Sequence, residues 1–169
     1  MLRAQCGDRE ALELLLRAVQ PQLRRYLQRL VGASSADDVL QEVLILASRK
    51  LKWLEVPEAF HPWVYRVASR VAFRHLKKEK RWSEQVRDEV VLDDIPAAES
   101  AVPRELLPEL LQSDALSAAS RAVLVLHFQE EMSLPEIAAI LEIPLGTVKS
   151  RLAYGLAALR KKLSPTRSV

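Results

Sequence analysis

The sequence is poor in several residue types that many function classes need. It has one cysteine, Cys6, four glycines, three histidines and only 5% aromatic residues. A single thiol excludes a disulfide framework within the chain and suits a reducing compartment. Scarce glycine among many Leu, Ala, Arg and Glu favours helix. There is no Gly-rich phosphate loop, no metal-ligand spacing and no nucleophile–base constellation. His61, His75 and His127 fall on separate predicted helices without a nearby Cys or a pair of carboxylates. No catalytic site, metal or cofactor is therefore expected. Apolar runs such as Ala122–Leu126 are far shorter than the ~20 residues a bilayer crossing needs. Arg3, Asp8, Arg9 and Glu10 break up the start of the chain, which does not resemble a secretory signal. The expectation is a cytoplasmic protein without membrane insertion.

What is present is half apolar and highly charged, with the charges in blocks. Residues 1–82 hold 16 Lys/Arg against 9 Asp/Glu, residues 83–111 hold 2 against 8, and residues 112–169 hold 7 against 5. Two basic segments are thus separated by an acidic one. The acidic segment also contains Asp93-Asp94-Ile95-Pro96 and Pro103, with little periodicity, and reads as a linker with a short helix near Arg104–Leu111. The expected organisation is all-α, with two helical domains over 1–82 and 112–169 joined by an acidic linker over 83–111. No strand pattern or internal repeat is present.

Helical spacing defines the elements. Gly7-Asp8 starts a helix over Arg9–Val19, and Pro21 kinks or restarts it before Leu23, Leu27, Leu30 and Val31. Gly32-Ala33-Ser34-Ser35 forms a turn with Ser35 as the next N-cap and Asp37 and Asp38 in the first turn. That helix carries Val39, Leu40, Val43, Leu44, Leu46, Ala47 and Leu51. His61-Pro62 opens a further helix to about Lys80, with Pro62 in its first position. Three more helices follow over Ser117–Phe128, Ser133–Leu141 and Leu145–Leu163.

The last two have the marks of a helix-turn-helix. Ser133 and Glu136 stand at capping-box spacing, Ile137, Ala138, Ile140 and Leu141 give a small apolar face, and Glu142-Ile143-Pro144 is a short turn. Val148, Leu152, Leu156, Leu159 and Leu163 form the buried face of the second helix. Thr147, Lys149, Ser150 and Arg151 remain near its N-terminal end, where a helix entering a major groove offers side chains to base edges and phosphates. An ordinary helical hairpin with a few exposed charges is the plain alternative.

A second cationic feature lies in the first segment. Arg66, Arg70, Arg74 and Lys78 recur every fourth residue, which places them in one stripe along a helix, and Lys77, Lys80 and Arg81 widen it. The stripe has no acidic partner face on its own helix and is suited to phosphate. Trp63, Tyr65, Phe73 and Trp82 are interleaved; they either stack on unpaired bases or belong to the core.

Taken in order, these segments resemble the small bacterial sigma factors of the extracytoplasmic-function group. Gly7-Asp8-Arg9-Glu10-Ala11-Leu12 is similar to the family's opening, and Asp37-Asp38-Val39-Leu40-Gln41-Glu42-Val43 to its polymerase-binding helix. Phe60-His61-Pro62-Trp63-Val64-Tyr65-Arg66-Val67-Ala68 resembles the start of its promoter-melting helix. Ile143-Pro144-Leu145-Gly146-Thr147-Val148-Lys149-Ser150-Arg151-Leu152 is similar to its recognition helix, the most specific of the four matches. The resemblance implies core polymerase binding through Asp37, Asp38, Leu40, Gln41 and Glu42. It implies downstream-element recognition and melting by Trp63, Arg66, Arg70, Arg74, Lys77, Lys78 and Arg81, and upstream-element reading by Thr147, Lys149, Ser150, Arg151 and Tyr154. Core RNA polymerase, promoter DNA and an anti-sigma factor are the implied partners.

Several positions depart from the family pattern. Ser48 replaces a common Trp, Arg70 and Arg74 replace a common Asn and Asp, and Glu142 replaces a Gly in the inter-helix turn. Tyr154-Gly155-Leu156-Ala157 falls where Arg and Lys abound, which removes phosphate contacts. Gly155 also costs a helix about 1 kcal/mol relative to Ala unless another backbone packs on it. Ser48 and the Tyr154–Ala157 stretch leave open a sigma-like regulator without productive promoter recognition. A dimeric helix-turn-helix repressor is a further alternative, but leaves the basic helix and acidic linker unexplained.

Overall fold

The structure is a computed structural model that describes residues 1–79, 111 and 115–163. The linker, its expected short helix, Lys80, Arg81 and Trp82 lie outside the described residues apart from Leu111. Contacts divide the chain into two compact units, residues 1–79 and 80–169. Among the described residues every regular element is a helix.

The first unit contains α1 (Leu2–Gln5), α2 (Arg9–Val31), α3 (Ala33–Lys50) and α4 (Phe60–Lys78), with 3-10 turns at Leu51–Trp53 and Pro57–Ala59. Asp8 caps α2 by accepting from the Ala11 N–H at 3.0 Å, and Arg3 holds the same carboxylate at 2.7 Å. The core combines Leu23, Tyr26, Leu27 and Leu30 of α2, Val39, Leu40 and Val43 of α3, and Val64, Tyr65, Ala68 and Val71 of α4. Each aliphatic side chain so buried contributes roughly 1.5–3 kcal/mol, which makes packing rather than propensity the main support of these helices.

One polar chain crosses this core. Ser69 Oγ donates to the Tyr65 carbonyl at 2.8 Å, and Tyr26 Oη lies 2.7 Å from Ser69 Oγ. A serine hydroxyl has one proton, so Tyr26 must be the donor in the second bond. The Tyr26 and Tyr65 rings meet edge-on at 5.3 Å.

Three boundaries differ from those the sequence predicts. Helix α2 neither stops nor restarts at Pro21. Its loss of one backbone bond is outweighed by the buried residues Val19 and Leu23 on either side, which belong to one apolar face. Helix α3 begins at Ala33, not after Ser35. Gly32 has φ of 84°, a conformation open to glycine, and reverses the chain at once while its N–H bonds to the Gln28 carbonyl. Asp37 and Asp38 consequently sit beyond the first turn. Pro62 is the third residue of α4, still among the positions whose N–H has no intrahelical acceptor. Helix α1 was not expected. Gln5 ties it down, donating through Nε2 to the Leu51 and Leu54 carbonyls at 3.1 and 2.6 Å.

The second unit contains α5 (Ala118–Phe128), α6 (Leu134–Leu141) and α7 (Leu145–Leu163). Ser117 caps α5, and Ala122–Leu126 are all buried. On α7 the buried residues are Val148, Gly155, Leu156 and Leu159. Leu152 is only half-buried and Leu163 exposed, because the buried face drifts around the helix and takes in Gly155.

Candidate nucleic-acid interface

The helix-turn-helix geometry follows from its caps. Ser133 and Glu136 form a reciprocal capping box: Ser133 Oγ accepts from the Glu136 N–H, and Glu136 Oε2 accepts from the Ser133 N–H at 2.8 Å. The Ser133 hydroxyl also donates to that oxygen at 2.6 Å, and these bonds lower the Glu136 pKa below its ordinary 4.5. At the other end Glu142 takes the left-handed conformation, φ 57° and ψ 43°, and the Glu142 and Ile143 N–H groups both bond to the Ala138 carbonyl. This reverses the chain so that α7 starts two residues after Ile143. Ile137 and Ile140 are buried, Ile143 is half-buried, and of the alanine pair Ala139 is exposed.

Val148 anchors the first turns of α7 in the core, which turns Lys149 outward. Thr147, Ser150, Arg151 and Tyr154 are half-buried, so each has part of its side chain at the surface. Ser150 donates its proton to the Thr147 carbonyl at 3.0 Å and keeps lone pairs as an acceptor. The five residues singled out in this helix therefore share its N-terminal half.

On α4 the cationic stripe forms as the spacing predicts. Arg70, Arg74, Lys77 and Lys78 are exposed and Arg66 is half-buried. Trp63 is also half-buried, with its ring 6.0 Å from that of Phe60. It is neither a pure core residue nor a free platform. The stripe does have an acidic partner, on the neighbouring helix: Arg74 makes a close ion pair with Glu42 of α3. Nothing in the sequence pointed to a pair 32 residues apart. Asp37, Asp38, Gln41 and Glu42 are exposed along α3, whereas Leu40 is 4% exposed and belongs to the core of its own unit. Arg24 grips Asp37 through two bonds of 2.7 and 2.9 Å, and this guanidinium holds the Asp37 carboxyl below its ordinary 3.8.

The histidines are separated. His61 lies on the Tyr65 ring at 4.9 Å, His75 lies 3.4 Å from Glu79, and His127 Nδ1 is 3.0 Å from the Met132 carbonyl. Among the described residues no group of three His, Cys, Asp or Glu is placed to hold a metal ion, and no helix is long and apolar enough to cross a membrane.

Comparison with known proteins bears on both units. Residues 15–82 match the family described as Sigma-70 region 2, and residues 114–161 match Sigma-70, region 4. The RNA polymerase sigma-H factor of Pseudomonas aeruginosa is 31% identical, over 96% of this chain and 91% of that protein. The ECF RNA polymerase sigma factor SigW of Bacillus subtilis is 29% identical over 93% of this chain and 91% of that protein. The chain belongs to the extracytoplasmic-function sigma factors. The fold is shared with the sigma factor RpoE in its complex with the anti-sigma factor NepR from Bartonella quintana, at TM-score 0.65 and 24% identity over 92% of this chain and 98% of that one. It is shared also with CnrH in complex with the cytosolic domain of CnrY, at TM-score 0.68 and 22% identity over 98% and 95%.

As a sigma factor, this protein binds core RNA polymerase and directs promoter-specific initiation. The structure accounts for two of its departures from the family pattern. Glu142 occupies a left-handed position at which glycine is unstrained. In the stretch Tyr154–Ala157, Gly155 and Leu156 face the core, and Tyr154 and Ala157 reach the surface. Ser48 donates to the Ile45 carbonyl at 2.8 Å and is half-buried. Its replacement of a Trp has no structural explanation.

Proposed function

We propose that this sigma factor divides its work between the two units along the boundaries 1–82, 83–111 and 112–169. The first unit docks on core polymerase through the exposed α3 residues Asp38, Gln41 and Glu42, with Asp37 alongside, and Leu40 holds that helix in place from the inside. The stripe Arg66, Arg70, Arg74, Lys77 and Lys78, with Arg81 beyond it, takes the phosphates of the downstream element, and the accessible part of Trp63 supports an unpaired base. The second unit reads the upstream element with Thr147, Lys149, Ser150, Arg151 and Tyr154 in the major groove. The acidic linker enters a channel otherwise occupied by nucleic acid. The protein works in the cytoplasm and supplies no catalytic group of its own.

The observation that carries this reading is the capped α6, left-handed turn and α7 arrangement, with Val148 buried beneath an outward Lys149. The anti-sigma factor bound to RpoE in the related structure supports control of this chain by an inhibitor of the same kind. The core-facing positions of Gly155 and Leu156 weaken the argument for a regulator without promoter recognition.

Docking is tested by the affinity of core polymerase for labelled protein. Charge reversal by Asp38→Lys is expected to weaken binding at least tenfold with unchanged thermal stability. Undiminished binding would contradict the assignment of α3.

A further inference from the structure

Trp53 is 74% exposed, more than any other large apolar side chain among the described residues. The turn that carries it is nevertheless fixed. Leu51 is buried beneath it, and the Leu54 N–H donates to the Leu51 carbonyl at 3.1 Å. Gln5 Nε2 donates to the Leu51 and Leu54 carbonyls from the other side. The Lys52 ammonium lies 5.0 Å from the centre of the Trp53 ring, a cation–π contact that favours one placement of the indole. A ring held out in this way loses less conformational freedom when a partner takes it.

The turn continues the outer ridge of α3. Asp38, Glu42, Ile45, Arg49 and Lys52 are exposed at steps of three or four residues, and the chain passes from Lys50 straight into the 3-10 turn. The ridge is acidic at its start and apolar at Ile45, 43% exposed. It ends on Trp53, with Val56, 53% exposed, three residues further on. Glu55 and Glu58 are exposed in the same loop and repel a phosphate backbone, so the ring suits a protein partner rather than a nucleic acid.

We infer that Trp53 is a hydrophobic anchor for core polymerase, flanked by Ile45 and Val56: the turn after α3 seats the indole in an apolar pocket of the polymerase surface. The inference rests on the docking role proposed for α3, whose ridge it extends. Interfaces draw most of their affinity from a few aromatic or Arg side chains that fill pockets, while charges at the rim add little. Gln5 acts as a positioning residue, because its two bonds fix the turn from which the ring projects.

Core polymerase is titrated with labelled full-length protein. Trp53→Ala is expected to bind roughly tenfold or more weakly, with Trp53→Phe in between and thermal unfolding unchanged, since the ring touches little of its own unit. Leu14→Ala truncates another exposed apolar side chain, on α2, and should bind as the unaltered protein does. Hydroxyl-radical footprinting of the unaltered holoenzyme should show Trp53 protected relative to the free protein. Undiminished binding of Trp53→Ala, an equal loss for Leu14→Ala, or an unprotected Trp53 in the holoenzyme overturns the anchor. A loss confined to single-stranded oligonucleotide binding overturns it too, and makes the ring a platform for a base. If Asp38→Lys loses affinity and Trp53→Ala does not, the anchor alone fails; if neither does, the docking role of α3 fails with it.

Discussion

Gly155 of α7 lies so close to Leu124 of α5 that a β-carbon on it would stand 2.6 Å from Leu124 Cδ1 and 3.2 Å from its Cγ. Leu124 is fully buried, so its side chain has little room to retreat. The residue that weakens α7 locally is thus the one that lets this helix settle on α5. The partner is a side chain, not a second backbone.

Gly155→Ala should therefore destabilise the second unit despite the better helix propensity of alanine. Overpacking costs typically 1–3 kcal/mol and the propensity gain returns about 1, for a net loss of about 1 kcal/mol. With Leu124→Ala already present, the same substitution should become neutral or stabilising. Chemical denaturation of the four proteins in this cycle measures the coupling, and strict additivity would contradict the contact.

Glu142 gives the opposite sign. Its left-handed backbone, φ 57°, is strained for a residue with a β-carbon. Glu142→Gly should stabilise the second unit by about 0.5–1 kcal/mol, read as a rise in its unfolding midpoint, with the larger flexibility of glycine in the unfolded chain already subtracted.

In the first unit the Tyr26–Ser69–Tyr65 chain predicts an asymmetry. Ser69→Ala removes both bonds of the chain, the one from the Tyr26 hydroxyl and the one to the Tyr65 carbonyl, and should cost about 1–3 kcal/mol. Tyr26→Phe leaves Ser69 still donating to the Tyr65 carbonyl and should cost only about 1 kcal/mol. Equal losses in thermal unfolding of the two variants would contradict the donor assignment.

The capping box predicts a pH dependence. The Ser133 bonds lower the folded-state pKa of Glu136, so the ionised carboxylate stabilises the fold above its ordinary value of 4.5. That contribution declines as pH falls below this value and is gone once pH passes the lowered folded-state pKa. Glu136→Gln should therefore unfold at a lower temperature than the unaltered protein at pH 7, and the gap should close on acidification. A gap that persists or widens in acid would show that the carboxylate is not the source.

Local chemistry was legible in the sequence; long-range pairing was not. Ser133 and Glu136 signal their box three residues apart, and the α4 stripe follows from fourfold spacing alone. Val148, Leu156 and Leu159 obey helical periodicity. Gly155, Glu42–Arg74 and Gln5 escaped because their partners are 31 or more residues away, and nothing in one helix's pattern specifies which face of another it meets. The restart at Pro21, one of two readings there, and the cap at Ser35 failed for a related reason. Apolar burial on both sides of Pro21, and the positive φ of Gly32, overrode the usual local rules for proline breaks and serine caps. Leu40 shows the limit of motif transfer: its segment resembles a docking helix, yet its own side chain faces inward.

The central claim is that α7 selects promoters for polymerase carrying this protein. Its most direct test is transcription with core polymerase from the same host and a library of promoter fragments, comparing the unaltered protein with Lys149→Ala/Arg151→Ala. Discrete transcripts that disappear with the double variant, while its core-polymerase affinity stays unchanged, are the predicted result. The same transcripts at the same levels from the double variant would contradict it.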